Sequence, residues 1–269
     1  MNALLPEQAD GFRDLQRVCG ERHVDLVLIG AIAYRFWLPD EHRMTEDVDA
    51  VLGLDLDELP KVTDTLIAVG WRRDPRCEHR WHAPGGARFD LLPVGPKARR
   101  EQQIVWPQSE SRMTVVGFEH VFVDAVEGEL ATGLRAKVVP LVVLALLKMV
   151  SYLDDPHGRR HDLQDLVMIL RQYEETGDRR FSDEVLDSRV EYREAGAYLL
   201  GLDLRMLCAT EAEVGQVERF LRKVGDPDCH IPIDVAGIAG LDGSDADRLT
   251  AQQFAALSSG FLEGARGAT

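Results

Sequence analysis

Two aspartates stand two residues apart in a short apolar stretch, Asp47-Val48-Asp49-Ala50-Val51-Leu52. No other feature of the chain restricts its fold as much. Residues 47–54 alternate, which predicts a strand, and alternation puts both carboxylates on one face. Strand interiors disfavour Asp. Two like charges on one face repel and lose solvation unless a cation lies between them. A chain that keeps this pair must bring a cation to one face of a sheet or leave the pair on a solvated edge. Mg²⁺ suits the first case, because it binds through a few carboxylates and completes its octahedron with phosphate oxygens and water.

A third carboxylate follows. Asp90 lies among apolar neighbours in residues 87–94, a second predicted strand introduced by the turn Pro84-Gly85-Gly86. Three carboxylates on adjacent strands can hold two metals and leave one group to accept a proton from an incoming hydroxyl. The plainer alternative pairs Asp90 with Arg88, two residues away on the same face. Upstream, Gly30 ends the apolar run 24–30 and opens a helix over 31–38 that Pro39 stops. The free N–H groups of a helix start attract phosphate, although a lone glycine there also serves as a tight turn.

The rest of the chain divides by texture. A helix is expected over 6–22, with Phe12, Leu15, Val18 and Cys19 on one face. Another is expected over 56–70, ending on Gly70, and short strands over 71–93. From Val138 the pattern turns helical. Residues 138–153 are apolar nearly all round, as in a buried helix. Residues 159–175 are amphipathic, with Leu163, Leu166, Val167 and Leu170 on one side. Two or three further helices fill 181–269. A mixed α/β domain over 1–135 and a helical domain over 136–269 are therefore expected, with no linker between them. The length of 269 residues fits one large or two small domains.

Charge and composition narrow the partners. The net charge of −15 repels nucleic acid in bulk. Residues 71–100 nevertheless carry Arg72, Arg73, Arg76, Arg80, Arg88, Lys97, Arg99 and Arg100 against Asp74, Glu78 and Asp90. That is either a seat for a polyphosphate or an RNA end, or a solvated Arg-rich hairpin. Four cysteines without a CxxC pair read as reduced thiols. Cys77, His79 and His82 lack a fourth ligand at finger spacing. There is no P-loop, GxGxxG or GxSxG motif. The first residues lack a basic and an apolar leader region. The longest apolar run, Val138 to Leu147, is ten residues against the roughly 20 a bilayer needs. A soluble, cytoplasmic protein without a membrane partner is expected.

The order strand-Gly30-helix, then Arg43-x-Thr45-x-Asp47-x-Asp49, then a lone Asp90 in a later strand resembles the nucleotidyltransferase superfamily. It looks most like the AbiE-type (AbiEii) nucleotidyltransferase toxins of bacterial toxin–antitoxin and phage-defence systems. The resemblance continues with Lys148 in an apolar helix and Asp162-x-x-Asp165 in the next, and covers residues from about 20 to 175. It implies an α/β (α+β) fold: a mixed sheet with flanking helices, followed by a helical C-terminal domain. It implies a metal-dependent transfer of an NMP from a nucleoside triphosphate to an acceptor hydroxyl, with release of pyrophosphate. Asp47, Asp49 and Asp90 would hold Mg²⁺ (or Mn²⁺), and Asp90 would help deprotonate the acceptor. Asp162 would complete the catalytic set, with Asp165 structural. Gly30, Ala31, Lys148, Arg43 and Thr45 would serve the nucleotide. For Lys148 the residue pattern alone also fits a snorkelling lysine at the end of an apolar helix. The superfamily pattern is Gly-Gly or Gly-Ser where this chain has Gly30-Ala31, and often Lys where it has His161. The implied partners are a nucleoside triphosphate, an RNA acceptor such as tRNA, and a cognate antitoxin. A small-molecule acceptor such as an antibiotic hydroxyl, or a catalytically degenerate binding module of the same fold, are the alternatives.

Overall fold

The alternation at 47–54 produces a strand at the centre of a mixed sheet. The computed structural model describes residues 3–39, 47–226 and 243–267. Its sheet strands are β1 (Leu26–Leu28), β2 (Asp47–Leu52), β3 (Arg72–Arg73), β4 (Arg80–His82) and β5 (Arg88–Pro93), with β8 (Val126–Ala131) and β9 (Leu134–Val138). A separate hairpin pairs β6 (Gln103–Val105) with β7 (Arg112–Thr114). Among the described residues the main sheet has seven strands in the order β3-β4-β5-β2-β1-β9-β8. β2 runs parallel to β5, and β1 parallel to β9; the other neighbours are antiparallel.

Period-2 alternation gives the central strands two different faces. Val48, Ala50, Trp81, Phe89 and Leu91 are buried on one of them. The helix α1 (Pro6–Glu21) comes so close to this face that a Cβ on Gly11 would lie 2.7 Å from the Phe89 ring. Phe12, Leu15, Val18 and Cys19 are its buried stripe, as its 3.6-residue spacing predicts. Trp71 packs on Phe89 with ring centroids 4.8 Å apart. It follows the end of α3 (Pro60–Ala68), the helical part of the stretch expected at 56–70. The opposite face carries the aspartates. α2 (Gly30–Trp37) starts beside them, and the short helices α4 (Pro96–Glu101) and α5 (Glu119–Val123) complete this half.

The chain divides into units Met1–Pro140 and Leu141–Thr269. The expected boundary after residue 135 falls inside β9, which is hydrogen-bonded to β1 and β8 and so belongs to the sheet. The turn at Thr132-Gly133, with Gly133 at φ +71°, and the alternation on both sides were the local signals of this hairpin. The apolar run is likewise shared. Val138 ends the strand, and α6 begins at Leu141, running to Asp154 with nearly every side chain buried.

In the second unit α6 is followed by α7 (Arg160–Gln172), α8 (Asp183–Ser188), α9 (Tyr192–Leu207), α10 (Glu211–Val224) and α11 (Gly243–Gly267). α9 and α11 meet backbone to backbone. A Cβ on Gly201 would lie 2.2 Å from the Leu257 carbonyl oxygen, and one on Gly260 2.1 Å from that of Tyr198. Neither obstacle is the end of a flexible side chain, so both glycines are required where the helices cross. No helix among the described residues is long and apolar enough to cross a membrane.

Gly260→Ala is expected to lower stability by about 1–3 kcal/mol, the range for overpacking. Gly215→Ala, where nothing lies within 4 Å in α10, is expected to raise it by about 0.5–1 kcal/mol. Urea midpoints of the two variants check the contrast.

Candidate active site

Strand register brings the three sheet aspartates together. Asp49 is the direct partner of Asp90 across the parallel β2–β5 pair, and Asp47 is the partner of Arg88. Neighbouring strands lie about 4.8 Å apart, so Asp49 and Asp90 are adjacent like charges on one face, an arrangement that destabilises a sheet on its own. Antiparallel β4 then sets Arg80 opposite Asp90 and His82 opposite Arg88. Asp90 is buried and Asp47 and Asp49 half-buried.

Two arginines answer this charge. Arg80 donates from Nε to Asp90 Oδ1 at 2.9 Å and from Nη2 to Asp90 Oδ2 at 2.9 Å, and Nη2 also reaches Asp47 Oδ2 at 3.0 Å. Hydrogen bonding to Asp90 drives its pKa further above the ordinary arginine value. Arg88 Nε lies 2.5 Å from Asp47 Oδ1. The local alternative of an Asp90–Arg88 pair is therefore replaced. Arg88 turns to its cross-strand neighbour Asp47, and Asp90 takes the two-pronged fork of Arg80. His79 Nε2 is 3.7 Å from Asp90 Oδ2.

Gly30 occupies the remaining side. Its φ is +62°, and a Cβ there would fall 2.0 Å from Asp49 Oδ2. The space over this carboxylate exists because residue 30 has no side chain. No side chain caps α2, so the start of the helix, with Gly30 and Ala31, faces Asp49 with its positive end. Arg43 and Thr45 lie outside the described residues.

The donor set suits a hard divalent cation. It is three carboxylates with no thiolate among them, and Gly30 keeps room over one of them. As the side chains stand, no three acidic, His or Cys groups among the described residues converge on one point, and Arg80 supplies the positive charge between Asp47 and Asp90. The residues fit a metal in chemistry and charge once Arg80 withdraws.

The resemblance also singles out residues that the structure gathers within the second unit. Lys148 Nζ lies 2.8 Å from Asp162 Oδ1 and 2.6 Å from Asp165 Oδ2, with all three side chains buried. Burial pulls the ammonium's pKa down, but the two carboxylates outweigh it and leave the pKa above its ordinary value. Lys148 is thus a charged, buried partner and does not snorkel to water. Asp162 Oδ2 is buried without a hydrogen-bond partner.

Sequence reasoning counted Arg80 only among the basic residues of 71–100 and did not connect it to the aspartates. Its signal was present as the alternation Arg80-Trp81-His82 before the Gly-Gly turn, which makes β4 the hairpin partner of β5. The neighbouring Cys77, His79 and His82 are occupied separately. His82 pairs with Asp74 at 3.0 Å, holding that carboxyl down to about 2 together with the Arg76 N–H. Cys77 Sγ lies 3.2 Å from His79 Nε2. Burial, then Asp90, raises its thiol pKa.

The sequence matches the family described as "Nucleotidyl transferase AbiEii toxin, Type IV TA system" over residues 13–266. No curated protein matches it. Among solved structures it is similar to the antibiotic-resistance factor ANT(2'')-Ia in solution, at 13% identity and a TM-score of 0.37, over 56% of this chain and 75% of that one. It is also similar to a crystal structure of ANT(2")-Ia in complex with adenylyl-2"-tobramycin, at 11% identity and a TM-score of 0.41, over 79% of this chain and 98% of that one.

Gly30→Ala is expected to cost about 1–3 kcal/mol for the left-handed backbone alone, and more because the new methyl must displace the Asp49 carboxylate. Gly133→Ala has the same backbone problem, with nothing within 4 Å. Denaturant midpoints should therefore place Gly30→Ala clearly below Gly133→Ala, and equal losses would show that the contact with Asp49 is dispensable.

Proposed function

This chain belongs to the AbiEii family of nucleotidyl transferase toxins, and on that premise we propose that it transfers an NMP from a nucleoside triphosphate to an acceptor hydroxyl at the face bearing Asp47, Asp49 and Asp90. The observation that carries this reading is the register of Asp49 against Asp90, with Asp47 on the same face and Gly30 leaving room beside Asp49. Mg²⁺ (or Mn²⁺) held by the three aspartates would neutralise and orient the triphosphate. The protein's own groups do the rest. The uncapped start of α2 offers the N–H groups of Gly30 and Ala31 to phosphate oxygens. Ala31 adds a methyl where a serine would add a hydroxyl. Asp90 accepts the proton of the attacking hydroxyl once Arg80 has released its oxygens. Within the second unit Lys148 and Asp162 neutralise each other, and the proposed chemistry rests on the sheet carboxylates alone.

The acceptor in this reading is an RNA end such as that of tRNA, and the biological role is that of a toxin restrained by a cognate antitoxin. Arg72 supports an RNA acceptor. It pairs in register with His82 at the edge of the sheet and so shares the carboxylate face, and it is exposed together with Arg76, Lys97 and Arg100. Four other basic residues of this segment are engaged: Arg80 and Arg88 with the aspartates, Arg73 with Glu78, and Arg99 with Glu119. The net charge of −15 favours the second reading, a small-molecule acceptor.

Asp49→Asn keeps the shape of the side chain and removes its charge. It is expected to lower label transfer from [α-³²P]NTPs to a tRNA pool on the order of 10²-fold or more, the scale of a preorganised electrostatic group. Transfer at the wild-type rate would overturn the assignment of the site.

Salt dependence separates the two acceptors. If RNA is bound, Arg72→Ala with Arg76→Ala should flatten the log–log fall of RNA affinity with salt, by about 0.7 per lost phosphate contact on single strands. Filter binding across a salt series reads the slope. Absence of RNA binding even at low salt would transfer the assignment to a small molecule.

A further inference from the structure

Arg80 stands where the carboxylate face needs a cation. It is the cross-strand partner of Asp90, and it makes three charge-assisted hydrogen bonds to two of the three sheet aspartates. The contact is built into the fold. β4 cannot pair with β5 in this register without setting residue 80 beside Asp90, and a guanidinium is the side chain that grips one carboxylate with two donors while reaching a second. The hold is also releasable, since Arg80 keeps 26% side-chain exposure against 11% for Asp90. Water therefore reaches the guanidinium more readily than the carboxylate it covers. Arg88 on Asp47, and His79 at 3.7 Å from Asp90, line the same group without bridging two carboxylates.

We propose that Arg80 is an internal competitor for the divalent cation: it occupies the position between Asp47 and Asp90 in the metal-free protein, and its withdrawal is a condition of metal binding. This rests on the metal reading under Proposed function. Two positive groups cannot share those oxygens. A free divalent ion arriving alone must displace the fork with nothing to receive it. A triphosphate arriving with the ion offers the guanidinium new oxygens of the geometry it prefers. Arg80 thereby tilts the site toward the metal–nucleotide pair and against the bare ion.

Mn²⁺ titrations without nucleotide, read by the electron paramagnetic resonance of the free ion, test this on the full chain. Four proteins are compared: wild type, Arg80→Gln, Arg80→Lys and Asp49→Asn. Arg80→Gln should bind Mn²⁺ at least about tenfold more tightly than wild type, with Arg80→Lys between them, because a lysine keeps the charge but loses the fork. In EDTA, Arg80→Gln should melt below wild type, and Mn²⁺ should raise its midpoint by more than it raises that of wild type. If Arg80→Gln does not fold, Arg80→Lys carries the same comparison. Asp49-dependent binding of equal or lower strength in the Arg80 variants would overturn the proposal and leave the metal reading standing. Binding that is unchanged in Asp49→Asn would overturn the metal reading itself.

Discussion

Asp49 and Asp90 are adjacent carboxylates on parallel strands, and the first unit is arranged around the charge they create. At a separation of about 5 Å and an effective dielectric constant near 20, two such charges repel by about 3 kcal/mol. Position after position in the surrounding strands bears on this. β4 delivers Arg80 to Asp90, β5 delivers Arg88 to Asp47, and residue 30 is a glycine so that α2 can bring its positive end up to Asp49. The other face of the same strands holds Val48, Ala50, Phe89 and Leu91. The hydrophobic core on that side holds the strands in place, and repulsive charge on the site face is tolerated because the strands cannot separate without losing the core.

The second unit is built on a different principle. Its helices meet through missing side chains, with Gly201 and Gly260 letting the α9 and α11 backbones touch. Its buried charge is closed on itself. Lys148 is held by Asp162 and Asp165, and Arg179 forks onto Asp203, which also accepts a hydrogen bond from Tyr173 at 2.6 Å. Such pairs add little net stability over a well-packed apolar core, but breaking one leaves a buried charge without compensation.

Family membership and the carboxylate geometry rest on independent grounds. The first comes from the pattern of the whole sequence across residues 13–266; the second comes from strand register. They meet in Asp47 and Asp49, which carry the motif and also begin the strand on which the face is built. Arg80 belongs to the geometry alone. It has no place in the motif, and it becomes part of the site only through hairpin pairing.

What the sequence determined by itself follows from periodicity. Alternation put Asp47 and Asp49 on one side of a strand, and 3.6-residue spacing put Phe12, Leu15, Val18 and Cys19 on one side of α1. These are properties of a few consecutive residues, and no distant partner is needed to read them. The tertiary structure decided the rest, because register is a relation between segments. Asp90 stands beside Asp49 and not one residue away because β5 pairs with β2 at that register, and a slip of one would have turned Asp90 into the core and Phe89 toward the aspartates. The same dependence made Arg88 the partner of Asp47 instead of Asp90, carried β9 past residue 135 into the sheet, and turned Lys148 from a helix-end lysine into the centre of a buried ion pair. In each case the local residues allow more than one partner, and the pairing that satisfies both the buried face and the charged face selects one.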